Sequence, residues 1–314
     1  MRNNIIYIFN VLLSFQVNNL FAQQDPMTNN KLNNMSVLNP AYKSFSDRHT
    51  LILHHRSQWV GFQGAPVTDM IIFNSATVMD NMSMGGAIIN DNIGPTNKTD
   101  LRFNYNYAVA VTRKSEIVFG ANAGLNIISN KFDQIKLTNP NDAAFIYDTK
   151  SVVTPNLGMG VFFHTYQFYA GFSIPNFIQS KPKGGFVHLK RHYYLMTGGV
   201  MRINKRDRYL FKPKLLVKIV GGAPIQFDMN FDFLLSYKYI IGVAYRSGDV
   251  IGINMGLDVA ENLTLLYSFG YSYSNTSFVN NGGSHEIMLR YLFPGFNKIS
   301  KTKRRHRIGK GNRH

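Results

Sequence analysis

Between positions 284 and 293, His285, Ile287, Leu289, Tyr291 and Phe293 fall on one side of an extended chain, and Glu286, Met288 and Arg290 fall on the other. Successive strand side chains point to opposite faces, so the segment carries one apolar, aromatic-ended surface and one charged surface. A single strand of this kind would suit a soluble sandwich. Here fourteen segments of roughly ten residues repeat the pattern behind an export signal, which is the signature of a transmembrane β-barrel, apolar towards lipid and polar towards its lumen.

The expected strands are 49–56, 67–77, 83–90, 101–112, 116–128, 155–164, 167–174, 192–203, 209–219, 225–236, 239–247, 249–259, 263–273 and 284–293. In 101–111 the odd positions are Leu, Phe, Tyr, Tyr, Val and Val, against Arg, Asn, Asn, Ala and Ala. In 227–235 Phe227, Met229, Phe231, Phe233 and Leu235 oppose Asp228, Asn230 and Asp232. Every second connection is a short turn, at 112–115, 165–166, 204–208, 237–238 and 260–262. The others include long segments, notably 129–154 and 175–191, with 57–66, 91–100 and 274–283 of middle length. Short periplasmic turns alternating with longer outer loops are the rule in outer-membrane barrels. An even strand count then leaves the C-terminus in the periplasm. The fold class is therefore all-β, an outer-membrane barrel of about fourteen antiparallel strands.

Four regions are expected. Residues 1–22 read as a signal peptide, with Arg2, an apolar run from Ile5 to Phe15 and Leu20-Phe21-Ala22 as cleavage site. That run is well short of the roughly 20 residues a spanning helix needs. Residues 23–48 are polar and Asn-rich, either a disordered lead or a segment packed into the lumen. A barrel this wide needs a plug or holds water. Residues 49–293 form the barrel, and 294–314 a basic tail in the periplasm. That tail holds Lys298, Lys301, Lys303, Arg304, Arg305, Arg307, Lys310 and Arg313 with no acid after Phe296, out of a formal charge of +17. Export argues against nucleic acid as its partner. Anionic lipid would attract it by about 1 kcal/mol per close cation, and an acidic periplasmic partner or the cell wall fits equally.

Catalysis and cofactors find no footing. The chain has no cysteine, which excludes thiolate metal sites and thiol nucleophiles. Asp228-x-Asn230-x-Asp232 sits in strand-like sequence without the glycine and terminal glutamate of a calcium loop. His54-His55 and His285-Glu286 place neighbours on opposite faces, so neither pair can chelate one ion. No nucleophile elbow is present.

Lys212, Lys214 and Lys218 share one face of 209–219 and must point inwards, since a lysine facing mid-membrane lipid costs about 2–4 kcal/mol. Asp228 and Asp232 project from the next strand, with Lys212 and Asp232 opposite or diagonal. These residues form a lumen charge ladder that neutralises itself or grips a partner segment. Pro213, lacking an N–H, marks a bulge or a register change. The segment 58–66 carries Gln58, the sole tryptophan Trp59, Gly61, Phe62, Gly64 and Pro66. It is a candidate partner-binding element with a defined turn, and the alternative for Trp59 is an interfacial belt position.

Gln24-Asp25-Pro26, Asn39-Pro40-Ala41-Tyr42, Gln58-Trp59-Val60-Gly61-Phe62 with Gly64-Ala65-Pro66, Gly221-Gly222-Ala223-Pro224 and Gly283-Ser284-His285-Glu286-Ile287 resemble, in order and spacing, the PorP/SprF family of outer-membrane proteins. The likeness spans nearly all of 24–293. The resemblance implies a non-enzymatic component of the type IX secretion and gliding-motility machinery. Such a component helps export, capture or anchor a secreted adhesin, engaging the adhesin or its C-terminal domain beside other secretion-system envelope proteins. It does not extend to the basic tail. A passive porin or small-solute transporter is the alternative that the alternation alone fits equally well.

Overall fold

The computed structural model describes residues 28–43, 48–76, 81–131, 149–178, 190–203, 209–273 and 282–293. The expected signal peptide, the Gln24-Asp25-Pro26 motif, the predicted turn 204–208, most of the long connections and the basic segment 294–314 lie outside the described residues.

The strands are β1 (Thr50–Ser57), β2 (Val67–Asn74), β3 (Met82–Ile93), β4 (Thr96–Ala110), β5 (Ser115–Asn130), β6 (Thr149–Thr165), β7 (Phe168–Ile174), β8 (His192–Gly199), β9 (Met201–Arg202), β10 (Tyr209–Val220), β11 (Gln226–Leu235), β12 (Tyr239–Arg246), β13 (Val250–Ala260), β14 (Leu263–Ser272) and β15 (Ser284–Leu292). Each pairs antiparallel with its neighbours, and β1 pairs with β15, so the sheet closes on itself. β8 and β9 are two pieces of one stave along β10, giving fourteen staves. Closure removes the unpaired edges that lipid could not satisfy.

Alternation fixes which face each residue takes. On β15 Glu286 is fully buried while Ile287 is half exposed, at 0% and 50%. On β11 Phe227, Phe231 and Phe233 are exposed, whereas Asp228, Asn230 and Asp232 are buried. The turns 111–114, 166–167, 236–238 and 261–262 lie at one end with the close of β15, where the Phe293 N–H donates to the His49 carbonyl at 2.9 Å. Ser236 and Tyr237 both have positive φ, and the Lys238 N–H donates to the Leu235 carbonyl at 3.0 Å. That mirror-image turn matches the strand twist and makes the connection tight.

Three expectations need correction. The 91–100 loop is absent: β3 and β4 run on to a two-residue turn at Gly94 and Pro95, Gly94 taking φ +54. β4, β5 and β6 span 15, 16 and 17 residues, more than the about 9–11 that cross a bilayer, so their upper parts stand clear of lipid. There no apolar alternation is required, and amide and hydroxyl pairs hold the ladder, Asn97 and Thr99 donating to Asn90 Oδ1 at 3.0 and 3.1 Å. Pro213 brings neither a bulge nor a register change. Its pairing with Phe231 is continuous, and on the other side Phe211↔Met201 and Lys214↔Gly198 keep one register. Pairing lapses only opposite the proline, where the Val200 N–H bonds the Gln167 carbonyl instead. Finally, the inner wall is not uniformly polar. Val118, Phe162, Tyr194, Met196 and Leu216 form one buried cluster, and Ile52, Ile72, Ile89, Leu266 and Met288 another.

Those clusters face residues 28–43, which lie within the barrel as two short 3-10 turns, Asn29–Asn33 and Met35–Val37, and an irregular stretch. Leu32, Met35, Leu38 and Ala41 pack into the first cluster and Val37 against the second. The segment runs lengthwise. Thr28 is bonded to Arg246 near the loop end, and Lys43 pairs with Glu116 beside the turn at 111–114.

Candidate functional site inside the barrel

A non-strand segment in a lumen has no ladder to satisfy its backbone, and each buried unpaired group would be costly. Inward side chains answer that need. The carbonyls of Thr28, Asn29, Ser36, Val37 and Leu38 accept from Arg246 (3.1 Å), Asn230 (2.9 Å), Asn104 (3.3 Å), Arg102 (2.9 Å) and Ser173 (2.7 Å). The Pro40 carbonyl accepts from Asn106.

Two acids anchor the loop-end half. Glu286 accepts the backbone N–H of Asn29 and Asn30 at 2.7 and 3.0 Å, one on each carboxylate oxygen. Arg56 Nε and His54 Nε2 approach it from β1 at 3.2 and 3.4 Å. Since Arg56 is its register partner across β1 and β15, one carboxylate ties the closing seam to the segment. Asp228 accepts from Lys31 Nζ at 2.6 Å and Arg246 Nε at 2.7 Å.

The turn-end half rests on the Asn39-Pro40-Ala41-Tyr42 motif. Asn39 Nδ2 donates to the Val161 and Phe172 carbonyls at 3.1 and 3.3 Å, and its Oδ1 accepts the Ala41 N–H at 2.9 Å. The wall must be bare for this. A Cβ on Gly160 would lie 2.0 Å from Asn39 Oδ1, and one on Gly120 2.3 Å from Ala41 backbone atoms. Tyr42 meets the Phe162 ring edge-on at 5.6 Å.

The predicted ladder residues occupy inward positions with a different pairing. Lys212 stands directly opposite Asp232 in register, yet the ion pair at 2.9 Å is the diagonal one from Lys214. Lys214 also bonds Asn33, and Asp232 accepts from Asn254 at 3.2 Å. Asp228 serves Lys31 and Arg246, and Lys218 is fully buried opposite Gln226. Sequence reasoning missed Glu286, Arg56, Arg246, Lys31 and Asn39 as members of this network. For Glu286, Arg56 and Arg246 the available signal was a full charge at an inward strand position; Lys31 and Asn39 lie outside any strand and offered none.

Segment 58–66 sits at the loop end. The Gln58 N–H donates to the Pro66 carbonyl at 2.9 Å, Val60 exchanges bonds with Gly282 and Gly283 at 2.8 and 2.9 Å, and the Gly94 N–H reaches Gly64 at 3.0 Å. Trp59 is half-buried with φ 48, Gly61 has φ +94, Pro66 is buried, and Phe62 is 61% exposed.

Below residues 28–43 a cavity of about 410 Å³ opens between the turns 111–114 and 166–167. A closed fourteen-stave antiparallel barrel with an apolar outer belt defines the class: an outer-membrane β-barrel. Residues 20–291 match the Type IX secretion system membrane protein PorP/SprF family, and the chain belongs to that family, as a non-enzymatic structural component working with secretion-system partners. No curated protein matches the chain. Among solved structures it is similar in fold to the CymD monoaromatic hydrocarbon channel (10% identity, TM-score 0.49, 87% of this chain and 95% of that one). It is also similar to Omp33 of Acinetobacter baumannii (9%, 0.42, 78% and 98%) and a Pseudomonas aeruginosa FadL homologue (11%, 0.43, 82% and 94%).

Proposed function

We propose that this barrel serves type IX secretion as a surface station that engages an exported adhesin or its C-terminal domain, and is not itself the conduit. The observation that carries this reading is the occupied lumen: residues 28–43 are bonded to the wall through Glu286, Asp228 and Asn39 along their length. A polypeptide in transit would have to break all of those contacts. In this reading residues 28–43 are a fixed plug, and the segment 58–66 presents Phe62 to the partner at the outer end. The turn end is periplasmic, so the C-terminus and basic tail 294–314 face anionic lipid, an acidic periplasmic partner or the cell wall.

Two measurements on one preparation test this. The purified barrel in a planar bilayer is expected to show no steady ion conductance. Cross-linked outer membranes are expected to yield a large surface protein with it. A stable open conductance with no co-purifying surface protein would establish the passive porin instead.

A further inference from the structure

We propose that the turn-end cavity is a binding site for a carboxylate carried on an apolar body. Its about 410 Å³ falls in the range of small-ligand pockets, roughly 300–1,000 Å³. Its walls are mixed. Leu32, Leu234, Leu266 and Leu292 supply apolar surface, while Lys43, Lys212, Lys214 and Arg290 supply charge.

Those cations are not equivalent. Lys43 is 2.5 Å from Glu116, and Lys214 is 2.9 Å from Asp232. Among the described residues Lys212 and Arg290 make no ion pair. The register partner of Lys212 is Asp232, which is already engaged by Lys214 and Asn254. Arg290 donates through Nη2 to Thr264 Oγ1 at 3.2 Å, that hydroxyl donates onward to Asp258 at 2.5 Å, and Arg290 Nε is buried with no hydrogen-bond partner among the described residues. β10 and β15 are not neighbours, so the two cations reach one cavity from separate parts of the wall. Charges held in partly apolar surroundings call for a counter-ion, and an arginine fork suits a carboxylate. Asp232 and Glu116 line the same cavity and would oppose a dianionic phosphate more than a carboxylate. The apolar wall supplies the rest of the contact.

The test uses the full chain in lipid nanodiscs and ligand-observed saturation-transfer NMR. Phenylacetate is expected to bind at least about tenfold more tightly than the isosteric neutral phenylacetamide, and more tightly than phenyl phosphate. Lys212→Met and Arg290→Met should each weaken phenylacetate by about tenfold, and Lys212→Arg should retain it. A tripeptide ending in a free Leu-Phe carboxylate, set against its C-terminal amide, separates a chain terminus from a free acid as the source. A carboxylate preference in either arm supports the site. Equal binding of acid and amide, tighter binding of phenyl phosphate, or unchanged binding in folded Met variants overturns it. If the Met variants do not fold, the comparison of acid with amide on the wild-type chain decides alone.

Discussion

Replacing Glu286 by leucine strands Arg56, His54 and two backbone N–H groups in a buried interior. Breaking one side of a buried ion pair costs about 3–5 kcal/mol, so Glu286→Leu is expected to lower markedly the temperature at which the folded form disappears in a heat-modifiability gel. Adding Arg56→Met should recover part of that loss, because the uncompensated cation goes with it. The glycines beneath Asn39 act by space rather than charge. Gly160→Ala puts a methyl 2.0 Å from Asn39 Oδ1 and forces that side chain off its two carbonyls. Limited proteolysis within residues 28–43 is expected to rise in this variant. Gly221→Ala, whose added Cβ meets nothing within 4 Å, should leave it unchanged.

Along a whole strand, the two faces differ in what they tolerate. Lys212→Leu removes a lumen charge that has no ion-pair partner among the described residues, whereas Val217→Lys places a charge towards lipid at a cost of about 2–4 kcal/mol. The folded fraction after membrane insertion should therefore fall far more for Val217→Lys, and equal losses would reverse the facing of β10. For the segment 58–66, Trp59→Ala is expected to leave barrel abundance near wild type and to reduce surface adhesin. Abundance and adhesin falling in proportion would make Trp59 a structural corner. The strands were legible because lipid imposes a two-residue period, as in Phe227, Phe231 and Phe233 against the inward acids. Where lipid stops, the period stops with it, so the extensions at 91–93 and 96–100 looked like a loop. The interior was less legible still. Phe162 and Leu216 stand at inward positions yet are apolar, because Leu32, Met35 and Leu38 pack against them, and no strand pattern reports what a lumen contains. Asp228 could be placed inside from the sequence, but its partner Lys31 stands 197 positions away in a segment with no periodicity.

On the scale of the molecule, the end at which β15 closes also holds the short turns, which sets a directional expectation. Protease added to intact cells should spare an epitope placed after residue 314, and cleavage there would place the turn end outside. Deleting residues 28–43 in a barrel that still folds should convert a silent protein into a conducting one in a planar bilayer. The seam between β1 and β15 has one more consequence. It joins the first strand to the last, and its buried acid is shared with the backbone of Asn29 and Asn30. A chain that zipped shut before residues 28–43 were in place would leave that acid half-satisfied at the junction itself. Completion of the wall and occlusion of the hole thus draw on the same carboxylate, so that each is more stable once the other is in place.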